Sequence, residues 1–388
     1  MSELHSDDQT AGHPNDRAVI RLRPKSKPQA IRHGFPWVFA DEAVLDRRTK
    51  ALPPGGLAVL EDAERQPLAL VTVNPVSKII ARVMDTDPGA VIDGAWLRAR
   101  LTRALQMRER IYDEPFYRLV HAEADGLPGL VIDRFGDAAV IQPNAAWADG
   151  MAEDIADALI EVAGVSTVVL NGQGRSRGLE GLAERLEVIR GTAPSGPVQV
   201  RMNGATYLAD LLGGQKTGLF FDQRPNHAFA QRLVNGGSVL DVFSHVGGFG
   251  LAALAAGADS ALCIDGSAPA LELARGGASA MGAADRLETQ QSDAFDALEA
   301  LAEQDRTFDV VVCDPPAFAP SKPALEKGLR AYERVAKMAA PLVAPGGYLV
   351  LCSCSHAADL TAFRNVSARG IGRGGRRGVL IHTGQAGP

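Results

Sequence analysis

Cysteine is scarce in this 388-residue chain: the four are Cys263, Cys313, Cys352 and Cys354, all in the C-terminal half. No Cys-x-x-Cys pair occurs, and the Cys-x-Cys at 352–354 has neither a partner pair nor a histidine cluster. A zinc site is therefore excluded as a reading, and no metal is expected. So few thiols fit a reducing, cytoplasmic compartment better than a disulfide framework. Long apolar runs are missing as well. None approaches the roughly 20 residues that span a bilayer, and the polar, acidic stretch Met1 to Asp16 has no apolar signal-peptide core. Membrane association is not expected, and residues 1–16 read as a disordered tail. An excess of one charge is also lacking, with 40 Lys+Arg against 46 Asp+Glu and a net charge of -6. The chain as a whole is not a polyanion binder by composition. No internal repeat or long low-complexity segment is present.

What is there is the balance of a globular protein, 46% hydrophobic and 22% charged. The length calls for two or three domains. Charge is uneven: Arg21 to Lys50 holds eight Lys/Arg against three acids, and Arg364 to Arg377 holds five arginines and no acid. Either cluster could attract phosphate or be plain solvated surface. Short apolar runs at 18–22, 57–60, 68–73 and 79–84, with a Pro53-Pro54-Gly55-Gly56 turn, predict a small β module over residues 17–90. Residues 91–202 read as a linker helix (95–111) and a mixed α/β domain, with strands at 118–123, 130–133, 138–142, 167–170, 186–190 and 198–202 and a helix at 151–163. Over residues 203–388 strands alternate with helices, at 239–242, 261–264, 286–291, 309–313 and 348–352. That alternation predicts a Rossmann-like parallel sheet whose ligand lies at the carboxyl ends of the strands.

The first of those strands runs Val239-Leu240-Asp241-Val242 into Phe243-Ser244-His245-Val246-Gly247-Gly248-Phe249-Gly250 and a helical pattern. The next strand ends in Asp265. Strand, glycine turn, helix, strand and acid make the first half of a nucleoside-binding domain. Glycines at 247, 248 and 250 would let the backbone approach a ligand closely, and Asp265 could accept bonds from ribose hydroxyls. The spacing is not that of the dinucleotide Gly-x-Gly-x-x-Gly, so the nucleoside stays open at this point. Ser292-Asp293-Ala294-Phe295 could meet an adenine amine, or Asp293 could simply cap a helix. Gly213 to Asn226 gathers glycines, polar donors and two phenylalanines ahead of the domain's first helix, a pattern that suggests ligand contact.

Asp309 to Cys313 is a buried strand ending in Asp314-Pro315-Pro316-Ala317-Phe318. Two prolines freeze the turn, holding Asp314 where it could bond a planar base stacked on Phe318; a structural turn capped by Asp314 is the plainer reading. Cys352-Ser353-Cys354-Ser355-His356 leaves the following strand at the same edge. Cys263 and Cys313 read as small buried hydrophobes. Cys354, furthest along, is the candidate nucleophile.

Taken together these segments resemble class I S-adenosylmethionine-dependent methyltransferases. They are similar in particular to the bacterial large-subunit ribosomal RNA cytosine-C5 methyltransferases that carry an N-terminal PUA module. The resemblance rests on Gly214-Gln215-Lys216-Thr217-Gly218 with Phe221-Asp222-Gln223-Arg224, on Asp241 through Gly250, on Asp314-Pro315-Pro316-Ala317-Phe318, and on Ser353-Cys354-Ser355. Arg32-His33-Gly34-Phe35-Pro36-Trp37-Val38-Phe39 is similar to a stretch of the PUA module. The resemblance implies a cofactor pocket for S-adenosylmethionine lined by Gln215, Lys216, Asp222, Arg224, Asp241, Phe243, Ser244, Gly247, Gly248, Asp265, Asp293 and Asp314. It further implies Cys354 and Asp314 as catalytic residues, Pro315, Pro316 and Phe318 against the base, and 23S rRNA as substrate. Rivals are an N7-guanine or amino-directed RNA methyltransferase, which needs no thiol, and an RNA-binding protein impaired in catalysis. Two departures stand out. His227 occupies a position where the family usually has arginine. The chain also stops at Pro388, after the strand-like Val379 to His382, so the last strand of the usual seven is expected to be missing. The open edge left behind could pair with a second copy as a homodimer.

Overall fold

The computed structural model describes residues 17–213 and 218–387; the tail expected over 1–16 and the segment from Gly214 to Thr217 lie outside the described residues. The chain divides into two compact units between Ala193 and Pro194.

The first unit holds two sheets. Strands β1 (Ala18–Arg21), β2 (Trp37–Phe39), β3 (Gly56–Glu61), β4 (Pro67–Val73) and β5 (Ile79–Asp85) form one, in the order β1-β3-β4-β5-β2. Period-two alternation buries Ile20, Ala58, Leu60, Ala69, Val71, Val73 and Ile80 on a common core. The β3–β4 hairpin is closed by Asp62, whose Oδ1 accepts the backbone N–H groups of Glu64 (3.1 Å) and Gln66 (2.8 Å). Strand β2, absent from the sequence reading, is only three residues long and pairs with β5 alone. The helix α1 (Gly94–Glu109) follows, capped by Asp93 accepting from Trp96 N–H at 2.8 Å. A second sheet consists of β6 (Phe116–His121), β7 (Leu130–Phe135), β8 (Ala138–Pro143), β9 (Thr167–Asn171) and β10 (Leu186–Arg190), in the order β10-β9-β8-β7-β6. Only β8 and β9 run parallel, as their connection through α2 (Ala152–Ala163) requires. Buried Glu180 joins this part to the first sheet: it takes hydrogen bonds from Asn74 Nδ2 (2.9 Å) and Ser77 Oγ (2.6 Å) and pairs with Arg82 (2.6 Å).

The second unit begins with a hairpin, β11 (Val198–Met202) and β12 (Ala205–Ala209), turned by Asn203 (φ 53°) and Gly204 (φ 76°). Left-handed φ at both central residues is the two-residue turn that matches strand twist, and it selects Asn-Gly. Residues 198–202 therefore do not join the central sheet, as the sequence reading had them. The remaining strands are β13 (Ser238–Val242), β14 (Ser260–Asp265), β15 (Leu287–Gln291), β16 (Phe308–Cys313) and β17 (Val343–Leu351). All pair in parallel, in the order β15-β14-β13-β16-β17. The chain reverses direction across the sheet between β13 and β16, so the crevice at their carboxyl ends is the natural ligand position. Helices α3 (Arg224–Gln231), α4 (Gly248–Ala255), α5 (Ala268–Ala280), α6 (Ala294–Glu303), α7 (Leu325–Ala339) and α8 (Leu360–Arg373) accompany it.

Val379 to Ile381, expected as a strand, pair with nothing in the sheet and are 87%, 65% and 60% exposed. This stretch instead runs to α3, where the His382 ring stacks on Phe229 at 3.7 Å and Gly387 N–H donates to the Asp222 carbonyl at 2.9 Å. Among the described residues the sheet has five strands, and no helix is long and apolar enough to cross a membrane.

Candidate active site

Acids and thiols gather at the carboxyl edge of the parallel sheet: Asp241 on β13, Asp265 ending β14, Asp293 after β15, Asp314 after β16, and Cys352 and Cys354 after β17. Asp241 is fully buried; its Oδ2 accepts the N–H groups of Phe249 (3.1 Å) and Gly250 (2.8 Å) at the start of α4, while Oδ1 has no partner. Burial pushes this carboxyl up to about 7, against the opposing pull of those two N–H groups. Asp265 Oδ2 accepts from His245 N–H and Oδ1 from Ser267 N–H, each at 2.8 Å, which fixes the carboxylate at the crevice beside the turn.

The turn between β13 and α4 is unusual in its backbone. Phe243 (φ 63°) and His245 (φ 50°) are left-handed although neither is glycine, as is Gly247 (φ 81°). Such conformations in side-chain-bearing residues persist only where the surroundings over-determine them, and they cluster at binding sites. Packing within the protein also constrains the glycines. A Cβ on Gly250 would lie 2.4 Å from Cys263 Sγ, and one on Gly248 would lie 2.9 Å from His227 Nε2. At both positions the protein's own core leaves no room for a side chain. His227, which stands where the family usually has arginine, is a core residue. It is 4% exposed, stacked on Tyr207 (6.2 Å) and edge-on to Phe249 (4.4 Å). Burial lowers it to about 3, so it is neutral under ordinary conditions and supports the turn from below.

Asp314 is gripped from two sides. Gln223 Nε2 donates to its Oδ2 at 2.9 Å, and Asn226 Nδ2 in turn donates to Gln223 Oε1 at 2.6 Å. Burial, and the nearby Asp222 charge, push Asp314 up to about 7, while hydrogen bonds from Gln223 and Cys352 oppose this. Burial and the neighbouring carboxylate raise the Cys352 thiol, which keeps it protonated. Pro315 is buried and Pro316 exposed, so the Pro-Pro turn presents one ring outward. Phe318 is half-buried in an aromatic cluster with Phe243 (6.4 Å), Phe295 (6.4 Å) and Tyr332 (5.0 Å). Cys354 is exposed, with Sγ 3.9 Å from the Pro315 carbonyl oxygen. Cys263 and Cys313 are fully buried core residues.

Other expected residues are placed as follows. Asp293 caps α6, accepting from Phe295 N–H (2.8 Å) and Asp296 N–H (3.3 Å). Ser244 is buried with its hydroxyl unpartnered. Asp222 is exposed and Arg224 buried. Gln215 and Lys216 lie outside the described residues. Of the five arginines between 364 and 377, Arg369 and Arg373 pair with Glu333, Arg376 reaches the Val343 carbonyl and Arg364 reaches Thr383. Most of that cluster ties α8 and the residues just after it to α7 and β17. Gln223, Asn226, Tyr332, Ser355 and Cys352 were not assigned roles from sequence. Gln223 and Ser355 lie within the quoted motifs; Tyr332, on α7, carries no sequence signal.

The sheet order, the glycine turn and the acids at strand ends define a class I methyltransferase domain. Its unpartnered Asp241 Oδ1 and Ser244 hydroxyl offer polar contacts to a ligand with amino and carboxylate groups, which S-adenosylmethionine is. A family model described as "S-adenosylmethionine-dependent methyltransferase" matches residues 185–370, and one described as "PUA-like domain" matches residues 20–86. "Ribosomal RNA large subunit methyltransferase I" of Photobacterium profundum is 35% identical over 353 residues, covering 89% of this chain and 87% of the relative. The protein of the same name from Shewanella denitrificans is 34% identical over 358 residues, covering 90% and 88%. A solved structure described as a putative SAM-dependent methyltransferase from Streptococcus mutans shares the fold, with a TM-score of 0.74, 16% identity, and 92% and 90% coverage. The chain belongs to the ribosomal RNA large subunit methyltransferase I family and is an S-adenosylmethionine-dependent methyltransferase.

Proposed function

We propose that this enzyme forms 5-methylcytosine in 23S rRNA, with Cys354 as the nucleophile. The observation that carries the reading is the approach of the exposed Cys354 thiol to the Asp314-Pro315 turn, Sγ to Pro315 oxygen 3.9 Å, at the carboxyl ends of β16 and β17. The relatives' printed name supports a large-subunit ribosomal RNA substrate. A nitrogen-directed enzyme would have no use for a thiol there.

The bound cofactor supplies a methyl group on a sulfonium. Asp241, Ser244, Asp265 and Asp293 would hold it, with Gln215, Lys216, Asp222 and Arg224 around it. Cytosine C5 is a weak nucleophile on its own. The Cys354 thiolate adds to C6, and the displaced ring electrons make C5 enamine-like. Asp314, protonated through burial, gives its proton to N3 as that charge develops. C5 then takes the methyl group, a base removes the C5 proton, the returning electron pair expels the thiolate, and N3 gives its proton back to Asp314, which leaves neutral 5-methylcytosine. Gln223 donates to Asp314 Oδ2, so the proton for N3 is carried on the other oxygen.

The test is transfer of labelled methyl from the cofactor to unmodified 23S rRNA. Wild type is expected to yield 5-methylcytosine and Cys354→Ala to lose at least about a thousandfold in rate, as for removal of other covalent nucleophiles. Full transfer by Cys354→Ala would overturn the reading in favour of nitrogen chemistry.

A further inference from the structure

Cys354 and the Asp-Pro-Pro turn stand on separate segments, after β17 and after β16, yet the proposed reaction needs them in one register. The structure contains a device for this. Ser355, the residue after Cys354, is 7% exposed and points inward. Its Oγ accepts the backbone N–H of Ala319 at 2.9 Å and lies 2.7 Å from the Tyr332 hydroxyl. One hydroxyl has one proton and two lone pairs, so both contacts are satisfied together. Tyr332 is 2% exposed, and its ring is clamped by Phe318 (5.0 Å) and Phe363 (5.1 Å). Ala319 adjoins Phe318, at the end of the Pro-Pro segment. Glycine at 328 on α7 lets that segment sit close: a Cβ there would lie 2.6 Å from Ala319 Cβ and 2.7 Å from Phe318 O.

We infer that Tyr332 and Ser355 are positioning residues that lock the nucleophile segment to the base-facing segment, so that the Cys354 thiol meets the ring bound beside Asp314. Buried serine and tyrosine hydroxyls need partners wherever they are, but this pair joins the two segments that must act on one base. Removing either hydroxyl leaves the cofactor residues on β13 and β14 untouched and frees Cys354 to drift. A misplacement of about 1 Å at a reacting atom lowers rate by about a hundredfold. The inference rests on the cysteine reading given above.

The experiment compares wild type, Tyr332→Phe, Ser355→Ala, Ser355→Thr and Cys354→Ala in the full chain. Each is measured for cofactor affinity by calorimetry and for kcat and KM with unmodified 23S rRNA. Tyr332→Phe and Ser355→Ala are expected to lose tenfold to a hundredfold in kcat while cofactor Kd and KM for RNA change less than about threefold, and Ser355→Thr is expected to recover most of the loss. Wild-type kcat in Tyr332→Phe and Ser355→Ala, beside an inactive Cys354→Ala, overturns the lock alone. Parallel loss of cofactor binding and kcat, or no recovery in Ser355→Thr, assigns the pair to general folding and also overturns it. An active Cys354→Ala overturns the cysteine reading and the lock with it.

Discussion

Asp314, the acid proposed to protonate N3, also carries a stability signature. Its pKa of about 7 lies above the ordinary carboxylate value of 3.8 because burial disfavours the charge and Asp222 adds to it. The folded state therefore binds more protons than the unfolded chain between those values. Stability from this group is fully present below about pH 4 and is lost as pH rises through 7, at up to about 1.4 kcal/mol per pH unit. Asp314→Asn should remove that slope. Relative to wild type, its melting temperature is expected to gain progressively from pH 5 to pH 8, while methyl transfer falls; an unchanged difference across that range would refute a neutral buried acid. The acid was legible in the sequence because Asp-Pro-Pro ends an apolar run. The amide relay from Asn226 through Gln223 was not, since no local pattern says which strand end a helix start will meet. For His227 the sequence showed only a departure from the family's arginine, and its place between Tyr207 and Phe249 is what makes it core.

At the scale of elements, the parallel strands were legible to within a few residues, because continuous apolar runs between helical patterns leave little choice. The Asn203-Gly204 hairpin was missed although its signal is among the strongest short ones; the proposed boundary fell in the middle of it. The run Val379 to Ile381 has strand composition but pairs with no neighbour, so composition alone did not decide its state. The turn after β13 makes the sharpest prediction here. Gly250→Ala would force a methyl group to within 2.4 Å of Cys263 Sγ, in a fully buried site. A destabilisation of about 1–3 kcal/mol is expected from such overpacking, with loss of cofactor affinity because the Asp241–Gly250 bond shifts. Gly250→Ala combined with Cys263→Ala should recover much of the stability. Thermal denaturation and calorimetry check both, and no recovery in the double variant would remove the steric account.

For the molecule as a whole, the reading of two or three domains becomes two compact units, because buried polar contacts tie the first sheet to the central one. Arg82 and Glu180 meet at 2.6 Å with side chains only 11% and 4% exposed. Neither is near the other in sequence, so nothing local announced the pair. Arg82→Ala leaves the Glu180 charge uncompensated, which is expected to destabilise the first unit by about 3–5 kcal/mol. Cofactor affinity, which belongs to the second unit, should not change. A melting curve with only the first transition lowered, beside an unaltered calorimetric Kd, would agree; a loss of cofactor binding would contradict it.

The central step of the proposed mechanism is the bond between Cys354 and cytosine C6, and it can be caught. With RNA in which the target cytosine carries fluorine at C5, methyl transfer proceeds but the final proton removal cannot. The account predicts a covalent protein–RNA complex that survives denaturation, requires the cofactor, and maps by mass spectrometry to the peptide containing Cys354. A methylated RNA product with no covalent complex, or a complex that persists in Cys354→Ala, would contradict it.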